Sequence, residues 1–279
     1  MAIHVAQTLQ HGVFTRYLLR DSDEIAWGAL PNAAYLARCH EPALLSIGAH
    51  LEPSSLFPVV PGALEYDTDT ENPNVFIKHA NFLAKVDVPG ELDLAMTLTK
   101  IEVLVCEELR AAGGGSPHPN ICQYLGVVLD GADRVIGIAY RRYDTNLSDA
   151  VTKNRVPGIL ESSSVKHIID SVEAGMKYLH SFKLVHCDIR PENVFINLAE
   201  DGSVTEVVLG DFDAVKKVGH ELVGKRAPSP WWPGKYVMQR DKAECDIDVK
   251  MLEKFPGWFD DCKTKLGGVG GSIGHAENC

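Results

Sequence analysis

Residues 165–213 read VKHIIDSVEAGMKYLHSFKLVHCDIRPENVFINLAEDGSVTEVVLGDFD, and this stretch decides the fold. The polar residues Asp188, Asn193 and Asp211 lie in it between apolar segments that have the composition of buried structure. One Asp can accept the proton of an attacking hydroxyl, while an Asn and a second Asp can hold magnesium against nucleotide phosphates. The spacing therefore indicates a site for phosphoryl transfer.

The motif H-x-D-x-x-x-x-N, here His186 to Asn193, is followed by Asp211-Phe212. This order resembles the signature of the eukaryotic protein kinase superfamily, and the wider context is similar to divergent fungal protein-kinase-like proteins. A chance arrangement of His, Asp and Asn on a loop of another α/β protein is the alternative, but the flanking helix and hairpin argue against it. The resemblance implies an α+β, protein-kinase-like two-lobed fold with a β-rich N-lobe and a shortened helical C-lobe.

Composition excludes several other classes of protein. The chain has 279 residues, 45% of them hydrophobic, which is enough for one large domain or two lobes. A net charge of −11 disfavours nonspecific nucleic-acid binding. Seven cysteines without a C-x-x-C pair suggest neither a zinc site nor a disulfide framework, and they fit a reducing compartment. No secretory signal or apolar run of the ~20 residues that span a bilayer is visible. We therefore expect a cytoplasmic protein, with a nuclear location also open, that binds neither membrane nor nucleic acid.

The predicted organisation has four parts: an N-terminal extension (1–46), an N-lobe (47–142), a truncated C-lobe (143–265) and a flexible, glycine-rich tail (266–279). Within the first part, Tyr17-Leu18-Leu19 and Ala33–Ala37 are expected to form short helices. The next part should contain the first two strands of a kinase, but it lacks the G-x-G-x-x-G loop that covers the phosphates in that family.

Two lysines compete for one role in the N-lobe. Val75-Phe76-Ile77-Lys78 resembles the strand whose lysine binds the α- and β-phosphates in the family, and we assign that role to Lys78. Lys85 also follows an apolar pair and is the alternative. Glu102 borders the apolar stripe of a helix predicted from Glu91 to Arg110, so the resemblance makes it the ion-pair partner of the lysine. A solvated helix charge is the other interpretation of Glu102.

Turn-forming residues and the spacing of apolar residues predict the remaining elements. Asp130-Gly131 and Asp201-Gly202 each indicate a hairpin, the second of which would bring Asn193 and Asp211 to the same end of one cleft. A long amphipathic helix, with three serines as possible caps, is expected from Ser162 to Leu179. Residues 225–233 occupy the position of the activation segment, and Cys245–Asp248 resembles the start of the helix whose Asp braces the catalytic loop.

The resemblance assigns roles to single residues. Asp188 would be the catalytic base, while Asn193 and Asp211 would hold Mg²⁺. Arg190 stands where the family has a catalytic-loop lysine, so a planar guanidinium replaces a compact ammonium group. Asp213 stands where the family has glycine after Asp-Phe, which restricts the backbone and adds a negative charge beside the metal site.

The function predicted from these residues is transfer of the ATP γ-phosphate to Ser or Thr hydroxyls of a protein substrate, with ATP and Mg²⁺ as cofactors. A pseudokinase that acts as a nucleotide- or protein-binding module is the competing class, favoured by the absent glycine-rich loop and by Asp213. A truncated kinase-like product without a stable fold is the third possibility, favoured by the early end of the C-lobe.

Overall fold

The structure is a computed structural model, and contacts within the chain divide it into two compact units. Unit 1 comprises residues 1–71, 77–107 and 125–139, and unit 2 comprises residues 72–76, 108–124 and 140–279. The predicted tail lies outside the described residues from residue 268 onward. The described residues are 4–11, 14–21, 24–30, 49–67, 72–80, 91–114, 118–153, 156 and 158–267.

Unit 1 begins with an antiparallel meander of four strands in the order β1–β2–β3–β4. The register places His11 opposite Phe14 and Asp21 opposite Glu24, so two-residue connections join the first three strands. Such short connections allow only antiparallel neighbours. The strands are β1 (His4–His11), β2 (Phe14–Asp21), β3 (Glu24–Leu30) and β4 (Ala49–Leu51).

This meander corrects the expectation for the N-terminal part. The helix predicted around Tyr17-Leu18-Leu19 is wrong, because these residues lie in the middle of β2, which pairs with a strand on each side. Ladder hydrogen bonds on both sides outweigh the helix propensity of leucine. The helix predicted at Ala33–Ala37 lies outside the described residues.

Residues 53–67 approach the rest of unit 1 through isolated bridges and form no strand. Val59 pairs with Arg134, and Glu65 pairs with Val127. Gly126 permits the second approach, because a Cβ at this residue would lie 2.7 Å from the carbonyl oxygen of Leu64. Its φ of 138° is also one that other residues rarely adopt.

A three-stranded sheet with the order β5–β7–β6 has most of its residues in unit 1. The hairpin predicted at Asp130-Gly131 is confirmed, because Asp130 accepts hydrogen bonds from the backbone N–H groups of Ala132 and Arg134. Asp130 therefore stabilises the turn between the two longer strands. The strands are β5 (Val75–Lys78), β6 (Tyr124–Leu129) and β7 (Val135–Arg141).

Helix α1 spans Glu91–Ala112, and its apolar repeat confirms the predicted helix. Its residue Ala95 belongs to a core cluster with Ile25, Leu56 and Phe57, which joins the helix to the N-terminal meander within unit 1. Burial of such side chains contributes about 1.5–3 kcal/mol each for the larger ones. The N-terminal strands are thus part of the core of unit 1.

Helix α3 (Ser162–Ser181) is the central helix of unit 2 and confirms the predicted amphipathic helix. It begins after Glu161, which makes no side-chain capping bond, so the three serines form the first turn and do not cap the helix. A Cβ at Gly175 would lie 2.5 Å from the carbonyl oxygen of Asn120, so glycine lets the loop at Asn120 pack against α3. The other α-helices among the described residues of unit 2 are α2 (Leu147–Thr152), α4 (Asp246–Leu252) and α5 (Phe255–Gly267).

The short strands of unit 2 place the polar motif residues. The hairpin predicted across Asp201-Gly202 is confirmed, with Val194 opposite Leu209. This register puts Asn193 beside Gly210, whose N–H donates to the carbonyl oxygen of Asn193 at 3.0 Å. The strands are β8 (Thr145–Asn146), β9 (Leu184–Val185), β10 (Val194–Leu198), β11 (Val204–Leu209) and β12 (Lys216–Lys217), in sheets of order β11–β10–β8 and β12–β9.

Among the described residues, no helix combines the length and the apolar character that crossing a bilayer requires.

Candidate active site

The loop that carries Asp188 is held by a carboxylate from α4. Asp248, with 0% of its surface exposed, accepts the backbone N–H of His186 at 2.7 Å and that of Cys187 at 2.9 Å. His180 Nε2 lies 2.9 Å from the same carboxylate. Two buried backbone donors are thereby satisfied by one residue 62 and 61 positions away in sequence, which fixes the conformation of the loop.

Cys187 adopts a strained backbone conformation at the centre of this loop. Its φ is +61°, in the left-handed region that costs a residue with a Cβ about 1–2 kcal/mol. Bonds on both sides of the residue stabilise it: Asp248 accepts its N–H, and the N–H of Ala227 donates to its carbonyl oxygen at 2.8 Å. Burial raises the pKa of the Cys187 thiol, so the thiol stays protonated and packs as an apolar group.

His186 connects the loop to the end of β11. Its Nδ1 accepts the N–H of Asp188 at 3.3 Å, so Nε2 carries the proton and donates to the carbonyl oxygen of Gly210 at 3.1 Å. The ring also packs edge-on against Phe212, with centroids 5.7 Å apart. His186 is fully buried and fixes the backbone of Asp188 and of Gly210, the residue before Asp211.

The Asp188 carboxylate is buried between two cations. Its Oδ1 lies 3.1 Å from Arg190 Nε, and its Oδ2 lies 3.6 Å from Lys225 Nζ. Within the described part of the chain, neither oxygen accepts a hydrogen bond of good geometry. Burial raises the pKa of Asp188, and the charges of Arg190 and Lys225 oppose only part of that increase. The lone pairs of a buried, paired carboxylate are thus available to a hydroxyl donor.

Asn193 and Asp211 are brought together as the sequence predicts. Asn193 Nδ2 donates to the backbone carbonyl oxygen of Asp188 at 2.8 Å, so the Oδ1 atom of Asn193 points away from that carbonyl group. Asp211 has a φ of +64°, a left-handed conformation that Asp tolerates better than most residues. The hydrogen bond from the Gly210 N–H to the Asn193 carbonyl oxygen places Asp211 next to this pair, two residues after the end of β11.

Arg190 contacts both acidic neighbours of its own loop. Its Nε faces Asp188, and its Nη1 lies 3.3 Å from Glu192 Oε2. The guanidinium group therefore places positive charge beside the Asp188 carboxylate, where the resemblance assigns a lysine.

Lys225 is the site residue that sequence reasoning missed. Its Nζ lies 2.8 Å from Asp211 Oδ2 and 2.7 Å from Asp213 Oδ1, in addition to its approach to Asp188. Burial lowers the pKa of Lys225, but the charges of Asp211 and Asp213 outweigh that effect and raise the pKa above its ordinary value. No local motif marks this lysine. The one available signal was Asp213, an additional carboxylate that requires a cation nearby.

Lys78 and Glu102 form an ion pair within unit 1. Lys78 Nζ lies 2.9 Å from Oε1 and 2.7 Å from Oε2 of Glu102. The Glu102 side chain is 3% exposed and that of Lys78 is 29% exposed, so the ion pair between β5 and α1 is largely withdrawn from solvent. Glu102 is therefore not a solvated helix charge. Lys85, the alternative lysine, lies outside the described residues.

The donor set of unit 2 fits a magnesium ion. Carboxylate and amide oxygens are the ligands that this hard cation takes in proteins, and Asp211 and Asn193 supply one of each. The structure also shows that the carboxylates accommodate positive charge, because the ammonium group of Lys225 already lies between Asp211 and Asp213. Asn193 and Asp211 would hold the ion.

Comparison with known proteins agrees with this geometry. A family model described as "Protein kinase domain" matches residues 96–249, more than half of the chain. The serine/threonine-protein kinase/endoribonuclease IRE1 of Hypocrea jecorina is 25% identical over 181 residues, which are 64% of this chain and 14% of that protein. The serine/threonine-protein kinase pakA of Talaromyces marneffei is 27% identical over 190 residues, 67% of this chain and 25% of that protein.

The chain thus spans a quarter or less of the length of these two relatives. A crystal structure of the yeast RNA Pol II CTD kinase CTDK-1 complex aligns at 17% identity with a TM-score of 0.47, over 65% of this chain and 53% of that chain. The family match and the mixture of strands and helices confirm the predicted α+β, kinase-like fold. The chain belongs to the protein kinase domain family.

Proposed function

We propose that the chain transfers the γ-phosphate of ATP to a Ser or Thr hydroxyl of a protein substrate. The observation that carries this proposal is the arrangement around Asp188. The buried carboxylate of Asp188 accepts no hydrogen bond within the described part of the chain. It lies next to the hairpin that carries Asn193 and Asp211, the two candidate oxygen ligands for a metal. Kinases that are named as serine/threonine enzymes among the relatives support the choice of substrate hydroxyl.

Asp188 would accept the proton of the substrate hydroxyl as its oxygen forms a bond to the γ-phosphorus. The bond from the γ-phosphorus to the β–γ bridging oxygen breaks, and ADP leaves with the electron pair. Arg190, 3.1 Å from Asp188, keeps the carboxylate oriented and adds positive charge beside it. These residues act mainly by positioning and electrostatics, since little covalent chemistry falls to the protein in this reaction.

Nucleotide and metal would be bound by two different sets of residues. Lys78, oriented by Glu102, supplies an ammonium group for the α- and β-phosphates. Asn193 and Asp211 supply oxygen ligands for Mg²⁺, which neutralises phosphate charge when it is bound.

The test is phosphoryl transfer by the purified 279-residue chain, with labelled ATP and a generic protein substrate. We expect label on Ser or Thr in the presence of Mg²⁺ and none with a chelator. Label on Tyr alone would contradict the choice of hydroxyl. Asp211→Asn should lose nucleotide binding together with activity, because it removes a metal ligand. A rate that survives this substitution would indicate a contaminating kinase.

A pseudokinase function is the second candidate, and one observation favours it specifically. Lys225 places a cation against Asp211, the residue that the metal requires. Under this alternative the chain binds its partners through its surface and transfers no phosphate. Measurable ATP binding without transfer to any hydroxyl would support this alternative and contradict the enzyme.

A further inference from the structure

Three carboxylates converge on one ammonium group in unit 2. Lys225 Nζ contacts Asp211 at 2.8 Å, Asp213 at 2.7 Å and Asp188 at 3.6 Å, and its side chain is 27% exposed. Two of these carboxylates have assigned roles, as catalytic base and as metal ligand. The third, Asp213, stands where the family has glycine, so the lysine and the additional carboxylate occur together.

Other cations of unit 2 also lie near these carboxylates, but they make their close contacts differently. Arg190 faces Asp188 and Glu192. Lys216, on β12, directs its Nζ to the carbonyl oxygen of Ala214 at 3.0 Å. Lys225 contacts both Asp211 and Asp213, so its removal changes the charge beside both carboxylates.

The backbone that carries Lys225 is held on both sides. Leu222 donates its N–H to Asp241 at 3.1 Å, and Ala227 donates to Cys187 at 2.8 Å. Between these bonds the chain turns at Gly224, which has a φ of +79°. The flexible four-carbon stem of the lysine, and not the backbone, is therefore the part that can move away from the carboxylates.

We propose that Lys225 is an internal counter-ion of the catalytic carboxylates, and that a divalent cation binds Asp211 only in competition with its ammonium group. This inference rests on the proposed function, since it takes Asp211 as the metal ligand. A cation and an ammonium group cannot both contact one carboxylate oxygen closely without strong mutual repulsion. Without metal, Lys225 keeps three nearby carboxylates from repelling one another, and with metal its stem swings out of the site.

The competition can be measured without any turnover. Mg²⁺ alone is titrated by calorimetry into the full chain and into Lys225→Met, in the absence of nucleotide. We expect the variant to bind Mg²⁺ about tenfold more tightly, because a charge in direct contact with the ligand has been removed. Lys225→Arg retains the charge and should bind like the wild type. The control is Lys217→Met, whose lysine pairs with Glu108 at 3.4 Å and should leave the affinity unchanged.

Thermal unfolding gives a second readout. In chelator, Lys225→Met should unfold at a lower temperature than the wild type, and Mg²⁺ should raise its midpoint more than that of the wild type. If Lys225→Met fails to fold, Lys225→Gln, whose amide can still donate to Asp211, takes its place. Failure of both neutral variants to fold even with Mg²⁺ would overturn the inference, because the lysine would then be a structural residue.

Equal or weaker Mg²⁺ binding by the neutral variant, or no Mg²⁺ binding by either protein, would also overturn it. The outcome is separable from that of the proposed function. Tighter Mg²⁺ binding by Lys225→Met in a chain that transfers no phosphate would leave the competition intact and end the enzyme proposal. Phosphoryl transfer by the wild type, with unchanged Mg²⁺ affinity in Lys225→Met, would support the enzyme proposal and overturn the competition.

Discussion

Each unit contains a lysine that pairs with buried carboxylate oxygens, but the chain builds the two pairs differently. In unit 1, Lys78 ends a strand and Glu102 lies on the inner face of α1, so both come from regular elements. In unit 2, Lys225 comes from a segment without a helix or strand and meets carboxylates that follow a hairpin. The first pair could be predicted because the family resemblance falls on a strand and a helix with clear patterns, whereas the second depends on the path of an irregular segment.

The largest expected effect tests the scaffold on which the unit 2 pair depends. Asp248→Ala removes the acceptor for two buried backbone N–H groups and should lower the free energy of unfolding by about 3–5 kcal/mol. Chemical denaturation measures it. Asp246→Ala is the matched control, because this residue lies on the same turn of α4 but its side chain is 41% exposed and bonds to the side chains of Lys235 and Tyr236, not to buried backbone groups, so it should shift the midpoint much less. Equal effects of the two substitutions would show that the loop does not rely on Asp248.

A second prediction contrasts the two lysines directly. Lys78→Met should weaken ATP binding by about tenfold to a hundredfold, the usual contribution of a charge-assisted hydrogen bond to phosphate. Lys225→Met should not weaken it, because its ammonium group competes with the metal. Calorimetry with Mg²⁺-ATP measures both. The comparison breaks if Lys225→Met loses as much affinity as Lys78→Met, because both lysines would then bind phosphate.

The smallest expected effect sharpens the account of unit 1. Glu102→Gln keeps the shape of the side chain but removes its charge, and it should lower the free energy of unfolding by about 1–2 kcal/mol. Glu108→Gln, which alters an exposed pair with Lys217, should change it by no more than about 0.5 kcal/mol. Denaturant unfolding compares the two. No difference between them would mean that burial of the Lys78–Glu102 pair has no energetic consequence.

The parts of the fold that sequence predicted are those with a local signal. α1 and α3 show an apolar repeat, and Asp130 and Asp201 each precede a glycine at a hairpin turn. The β1–β3 strands were missed because they depend on pairing with one another, which no residue in the segment encodes by itself. In β1 to β3, hydrogen bonding between strands outweighs the local preference of single residues for a helix.

The candidate site likewise contains residues that a local motif indicates and residues that it does not. The spacing from Asp188 to Asn193 is fixed by one loop, so motif reasoning could name these residues. The family resemblance also indicated that an Asp at the start of the helix in Cys245–Asp248 braces the loop, and Asp248 is the residue that does so. Lys225 reaches the site through space, and its contribution lies in ion pairs to residues outside its own segment. For Lys225, sequence reasoning noted the unusual charge of Asp213 but had no means of naming the cation that pairs with it.

The central claim is that Asp188 is the base of a phosphoryl transfer, and Asp188→Asn tests it most directly. The substitution should reduce kcat by about 10²–10⁴-fold, the usual contribution of general-base assistance, and leave the Kd for ATP nearly unchanged. ATP affinity should persist because Asp188 would contact the substrate hydroxyl and not the bound nucleotide. Both quantities are measured on the same purified protein. A wild-type rate no higher than that of Asp188→Asn, with ATP still bound by both, would contradict the claim.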